Sequence, residues 1–506
     1  VVVVALSLAL LPLLWQQVVA YAPAPSDETA HLYVAERVAQ GASLYGTVES
    51  ARPPLALLPI ILLRLTGMPL LLAGRLAHTL PHLALAAVLF FVLRRRLSTI
   101  SGLGATCLFL LAPDVVSMWT FTGMPQVALL SFACLAGVAT GRFATAGILG
   151  ALALLSGQHA LVIVAVAGLI TATHGKKPFV RFTASGLTVG TLIAGFFYLR
   201  GGTHMYECLI GRHFFHLQTE GEFEGVAFRY RSWLIEQVFL LVPALLGLAL
   251  AARRGKARGF SPVALLRSPV AIFAFAVAAH LVVVLRMKLG NVMYLAPATP
   301  FLAALGGCAI HELAQRYRRL RPIVVAATLW VVATSAAWAV AQRRAAELDQ
   351  RRSAFLPQVR MIEAARRQRL TNLDAIARAV AAEAPVEGTI FGTNYIAPWV
   401  ALAAGRRVAA DLADFAPNWI TLGIIRRRDL IERLERARVS LFVTYGGFYT
   451  RDRSFLRYLV LCYDVKSALT FEPIADRNAQ GGAIGRIVVV RHVPEWPCKG
   501  AAEIRD

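Results

Sequence analysis

None of the six cysteines stands in a CxxC pair or at metal-ligand spacing, which argues against a zinc ribbon or a dithiol redox centre. Cys107, Cys134 and Cys308 fall inside apolar runs and read as small core residues. Cys462 and Cys498 lie in the tail and could pair if the tail sits outside the cytoplasm. The tail has no nucleotide fingerprint, and no long-period repeat is apparent. Acids are scarce: 29 Asp and Glu face 52 Lys and Arg, a formal net charge of +23. Much of that excess falls in short clusters between apolar runs, as membrane topology produces, so it gives little support to a nucleic-acid partner. A further part lies in the C-terminal third, where it can meet anionic headgroups.

What is abundant is apolar sequence. The hydrophobic fraction is 57% and the mean hydropathy +0.59. With runs near ~20 residues, this reads as a polytopic α-helical membrane protein. The runs fall at 1–20, 70–93, 102–118, 124–140, 143–157, 159–174, 180–200, 229–251, 268–285, 291–311 and 322–341. The pair 143–157 and 159–174 can be two short spans or a re-entrant hairpin. The chain begins on Val1 without Met, so residues are expected to precede it, and 1–20 reads as a retained span rather than a signal peptide. With the N-terminus inside, the basic loops Arg94-Arg95-Arg96, Arg142, Lys176-Lys177 with Arg181, Arg253-Arg254-Lys256-Arg258, and Arg316 to Arg321 all fall on the cytoplasmic side. This predicts about eleven spans with the C-terminus outside. Residues 1–341 form the membrane domain, and 342–506 a helical linker and a small extracytoplasmic α/β domain. Its strands are expected at 389–392, 439–445 and 487–490, with a helix near 426–437.

The first outer loop, 21–69, carries the most suggestive stretch. It reads as a helix over 28–40, a turn at Gly41, an extended segment, and a short interfacial helix over 54–66 opened by Pro53-Pro54. Asp27-Glu28 stands just past the first run. A carboxylate there can take a proton from a hydroxyl at the water–lipid boundary; Ser26 or Asp27 can equally be a helix cap. Ionisable groups in or near spans tend to mark function. They collect at the expected outer ends: Arg75, His78 and His82 on one helix face, His159 at the 157–159 break, and Arg286 and Lys288 before Gly290-Asn291 and Tyr294. Arg52 opens the interfacial helix, and Arg212, His213 and His216 sit in a later outer loop. Asp114 and Glu49 are further acids on that side, and His280 in mid-span reads as a hydrogen-bonded core residue. A basic pocket beside carboxylates suits a lipid-linked phosphate. Span-end cations that only snorkel are the bland alternative.

Asp27-Glu28 with Tyr33 and Ala35, Gly41 and Tyr45, Arg52-Pro53-Pro54-Leu55, Gly74-Arg75-Leu76, and Gly290-Asn291 with Tyr294-Leu295-Ala296-Pro297 follow one another in an order that resembles the GT-C membrane glycosyltransferases. The branch it looks most like holds protein O-mannosyltransferases, aminoarabinose transferases and their bacterial relatives. The resemblance covers roughly residues 1–310, plus the tail in general form. It implies transfer from a polyprenyl-phosphate sugar to an acceptor outside the cytoplasm, with inversion at the anomeric carbon. Asp27 matches the family's catalytic acid residue, and Arg52 the basic residue that contacts the carrier phosphate. Some members bind a divalent metal ion at this site and others do not; here Asp27 and Glu28 are the candidate ligands. Two positions depart from the pattern: Met124-Pro125-Gln126, where relatives often carry Asp beside Pro, and Gly157-Gln158-His159, where they often carry Lys.

The resulting expectation is a bacterial inner-membrane, cell-envelope enzyme. Asp27 is its base and Glu28 orients the site; Arg52, Arg75, Lys288, His159 and Arg286 bind the donor phosphate. Tyr33, Asp114, Arg212, His213, Asn291 and Tyr294 lie on the acceptor or loop side. Its partners are a polyprenyl-phosphate sugar, a lipid, glycan or protein acceptor, and membrane lipids. The rivals are a lipid-linked saccharide transporter or flippase, which needs the basic cavity but no base, and a non-catalytic envelope-assembly subunit.

Overall fold

Apolar runs become packed helices, and the described basic clusters between them stand in or beside the terminal turns of those helices. The computed structural model describes residues 27–112, 114–115, 122–211, 231, 233–235, 237–257, 267–286, 292–317, 373–394, 396–415, 420, 425–445, 453–471, 487–492 and 498. The runs at 1–20 and 322–341 lie outside the described residues. The first outer loop supplies α1 (Asp27–Ala39) and α2 (Pro54–Leu65). Gly41 turns the chain after α1 with φ +98°, a conformation that costs glycine nothing. Pro54 sits in the first turn of α2, where its missing N–H has no partner to lose.

The bundle follows: α3 (Leu70–Arg96), α4 (Thr99–Leu110), α5 (Met124–Ala139), α6 (Phe143–Ser156), α7 (Ala160–Thr173), α8 (Lys176–Gly201), α9 (Val238–Ala257), α10 (Pro269–Arg286) and α11 (Thr299–Arg316). The expected runs from 70 to 311 thus meet helices wherever they are described. Among the described residues, only α3 and α8 are both long and apolar enough to cross a membrane by themselves; the other bundle helices, at 12–20 residues, are shorter or less apolar. On α8 a single residue, Phe182, is buried, while Leu187, Leu192 and Leu199 stand 64%, 69% and 87% exposed. A flank this apolar suits hydrocarbon as its solvent.

Small residues let the helices approach closely. A Cβ on Gly147 of α6 would lie 2.0 Å from the Phe182 carbonyl oxygen of α8, and one on Gly247 of α9 would lie 2.1 Å from that of Leu305 in α11. Phe132, Phe273 and Phe301 bring α5, α10 and α11 together with ring centroids 5.3–5.9 Å apart.

The C-terminal part holds a helix over 373–383 and a five-stranded sheet. In chain order come β1 (Thr389–Gly392), α12 (Ala397–Ala403), β2 (Arg407–Val408), α13 (Arg427–Arg436), β3 (Val439–Tyr445), α14 (Arg453–Cys462), β4 (Tyr463–Phe471) and β5 (Ile487–His492). The sheet order is β2-β1-β3-β5-β4; β1 runs parallel to β2 and β3, and β5 is antiparallel to β3 and β4. The parallel pairs need helical crossovers, which α12 and α13 supply. Phe391, Phe442, Phe455, Tyr458 and Tyr463 pack its core, and Cys462 is disulfide-bonded to Cys498.

Candidate active site

α1 carries both acids in its first turn, where free N–H groups and the helix dipole favour carboxylates. Neighbouring helix residues point about 100° apart, so Asp27 and Glu28 leave α1 in different directions. Glu28 turns into the bundle. Its two oxygens accept from the two Nη groups of Arg75 on α3, at 2.5 and 3.0 Å. The Arg75 and Glu28 side chains are 1% and 0% exposed. Asp27 stays at the surface, 37% exposed, with Arg52 Nη2 3.4 Å from its Oδ2. Arg52 also donates from Nε to His31 Nε2 at 3.0 Å, which requires an unprotonated nitrogen there.

The loop between α1 and α2 fixes Arg52 from its backbone. The Tyr45 hydroxyl donates to the Arg52 carbonyl at 2.5 Å, and the neighbouring Ala51 N–H donates to Asp414 at 2.8 Å. The C-terminal sheet region closes over α1. Thr29 Oγ1 donates to the Asn394 carbonyl at 2.6 Å, and Asn394 Nδ2 lies 3.5 Å from Asp27 Oδ1. Tyr33 donates to Asp411 at 2.8 Å and accepts from the Val408 N–H at 2.9 Å. Burial, and then the Asp411 carboxylate, push the Tyr33 phenol above its usual range. Arg37 Nε joins Asp411 at 3.2 Å. Tyr33, expected on the acceptor side, therefore stands in the seam between α1 and the sheet region.

The other expected residues spread out. Asp114 is buried, accepting from Trp233 Nε1 at 2.9 Å and Thr299 Oγ1 at 3.1 Å, beside a small cavity that His82 and Met124 also line. The His159 ring meets that of Tyr294 at a tilt of 47° with centroids 4.3 Å apart, and the Tyr294 carbonyl lies 2.8 Å from His280 Nε2. Gln126, at the position where an acid was expected by resemblance, donates to the Leu55 carbonyl at 3.0 Å and pins α2. Lys288, Asn291, Arg212 and His213 lie outside the described residues, as does the side chain of Arg286.

Asp27 and Glu28, the candidate metal ligands, point apart in this arrangement. Each faces a guanidinium, and the Glu28 oxygens are both taken by Arg75 inside the bundle. A divalent ion there would meet two cations already in place. Among the described residues, the group whose donor atoms do converge is Glu49, His204 and Cys208. Sequence reading passed over His31, Asn394 and Asp414. Only His31 had a local signal, four residues after Asp27 on the same helix face.

The arrangement of α1, α2, the bundle and the covering sheet is shared with solved membrane-protein structures. The chain is similar to ArnT from Cupriavidus metallidurans, in the apo state and bound to undecaprenyl phosphate, at TM-scores of 0.59 and 0.60 and 16% identity. The alignments cover 96% and 97% of this chain and 97% and 98% of those structures. It is also similar to the Archaeoglobus fulgidus oligosaccharyltransferase, solved with Zn and sulfate, at TM-score 0.54 and 12% identity over 92% of this chain and 72% of that one. No protein-family description and no curated protein matches the sequence.

Proposed function

We propose that this chain is an inverting glycosyltransferase, moving a sugar from a polyprenyl-phosphate donor to an acceptor on the extracytoplasmic side. The observation that carries the reading is the Asp27–Arg52 pair: a part-exposed carboxylate and a guanidinium 3.4 Å apart beneath the C-terminal sheet region. In the resting state each neutralises the other. A donor phosphate competes for Arg52, whose planar fork suits phosphate oxygens, and so releases Asp27. The acceptor hydroxyl or amine then attacks the anomeric carbon from the face opposite the phosphate. Its proton passes to Asp27, the sugar–phosphate bond breaks, and the carrier phosphate departs with one more negative charge, held by Arg52. Glu28 and Arg75 are positioning residues that fix the start of α1 against the start of α3; Lys288 adds a second cation for the phosphate. The topology that goes with this chemistry has about eleven spans, the N-terminus inside and the sheet region outside. The Cys462–Cys498 disulfide supports that side, since such bonds persist in oxidising compartments.

The test is release of carrier phosphate by purified protein from a panel of polyprenyl-phosphate sugars, with acceptor present. Asp27→Asn is expected to lower turnover about 10²–10⁴-fold with the fold intact. Full turnover in a folded Asp27→Asn protein would remove the base assignment. Absence of release from every donor would remove the transferase.

A further inference from the structure

Glu49, His204 and Cys208 are brought together from two segments far apart in sequence. Glu49 lies in the loop before α2. His204 stands in a short helical turn, Thr203–Tyr206, just past α8, and Cys208 in the π turn Glu207–Gly211 that follows. His204 and Cys208 are four apart, so one face of the turn presents both. Their donor atoms and a Glu49 oxygen all lie within 4.8 Å of one another. Cys208 and Glu49 are buried and His204 is half-buried.

Three observations point to a ligand. Zinc bonds of ~2.0–2.3 Å in tetrahedral geometry put donors ~3.3–3.8 Å apart, so a small adjustment of this cluster gives a carboxylate–imidazole–thiolate set. The far nitrogen of the ring, Nδ1, lies 3.1 Å from Glu207, the outer carboxylate that orients a metal-bound histidine. The charges also fit a dication: Glu49 and Glu207 are two carboxylates at the spot, Arg433 lies 2.7 Å from Glu49, and metal binding would turn the Cys208 thiol into a further negative ligand.

We infer that Glu49, His204 and Cys208 bind a zinc ion, with the fourth position open to water. Binding releases the Cys208 thiol proton and takes His204 as neutral imidazole through Nε2. The ion ties the loop that carries Arg52 to the end of α8. Arg433, bonded to Glu49, brings α13 of the sheet region to the same point. Gln158, donating to the Leu209 carbonyl at 3.2 Å, anchors the π turn to the α6–α7 break. The ion is a clamp on the loop rather than a participant in the transfer.

The test uses the full chain in detergent and needs no turnover. Metal content is read by elemental analysis, and the chelator-stripped protein is titrated with Co²⁺. About one zinc per chain and a near-ultraviolet thiolate-to-cobalt band are expected. The other free cysteines, Cys107, Cys134 and Cys308, are buried in apolar helices, so the wild-type band itself reports Cys208. Cys208→Ser should abolish the band and His204→Gln should weaken metal retention at least tenfold, whereas Asp27→Asn should leave both unchanged. Protein free of stoichiometric metal and silent with Co²⁺ would overturn the site. So would a band that survives in Cys208→Ser, or metal lost with Asp27→Asn.

Discussion

Two carboxylate–guanidinium pairs, one residue apart on α1, have opposite characters. Glu28–Arg75 is sealed inside the helix bundle, with both Nη groups engaged at 2.5 and 3.0 Å. Asp27–Arg52 is part-exposed, with a single 3.4 Å contact and other partners on each side. A sealed pair resists being parted because either charge alone would be stranded in a low dielectric. A loose pair at the surface exchanges partners at little cost. One helical step thus separates a sealed ion pair from a loose one, the pair that the proposed mechanism has trade its carboxylate for a phosphate.

Substitutions can break this contrast in graded ways. Asp27→Asn should remove turnover while leaving the unfolding temperature unchanged. Arg75→Met should do the reverse in origin: about 3–5 kcal/mol of stability is lost because Glu28 is left buried and unpaired. The double change Glu28→Gln with Arg75→Met should recover much of that loss, as thermal unfolding in detergent would show. If Arg75→Met leaves stability untouched and instead weakens donor affinity, the two pairs are functionally alike and the contrast fails. Tyr33→Phe removes one donor and one acceptor in the seam with the sheet region. A cost of about 1–3 kcal/mol is expected, read as earlier proteolysis of the sheet region.

The smallest effect concerns acid. Hydrogen bonds from Arg64, at 2.5 and 2.9 Å, hold the Glu36 carboxyl below its usual range. A depressed carboxyl contributes stability that is present above its unfolded pKa and is lost as pH falls through the folded value. Wild-type protein should therefore lose a modest increment below about pH 4.3, and Glu36→Gln should lose the pH dependence of that increment. Parallel acid melts of the two proteins would check it.

The helical part was legible because apolar length and breaker residues are local properties. The Pro53-Pro54 start of α2 and the turn at Gly41 follow from backbone restriction alone. In the sheet region β1 and β3 were foreseen from β-branched and aromatic runs, whereas the two-residue β2 and the strand β4 after α14 were not. Pairing across a sheet is not written in a local pattern. The site was readable as a cluster but not as a wiring diagram. Arg75 shares a helix face with His78 and His82, yet only the packed structure gives it to Glu28. Asn394 and Asp414 carry no motif, since their meaning comes from contact with residues more than 360 positions away.

The Thr29–Asn394 bond, spanning 365 residues, also sets a clock. A chain is made from its N-terminus at roughly 5–20 residues per second, so α1 is synthesised roughly 20–70 s before the segment that covers it. For that interval Asp27 and Arg52 can meet each other but have no roof. A prematurely terminated chain would carry the pair without Asn394, Asp411 or Asp414 to hold α1 and its loop. Completion of the last third of translation is thereby also the step that covers α1 and its loop.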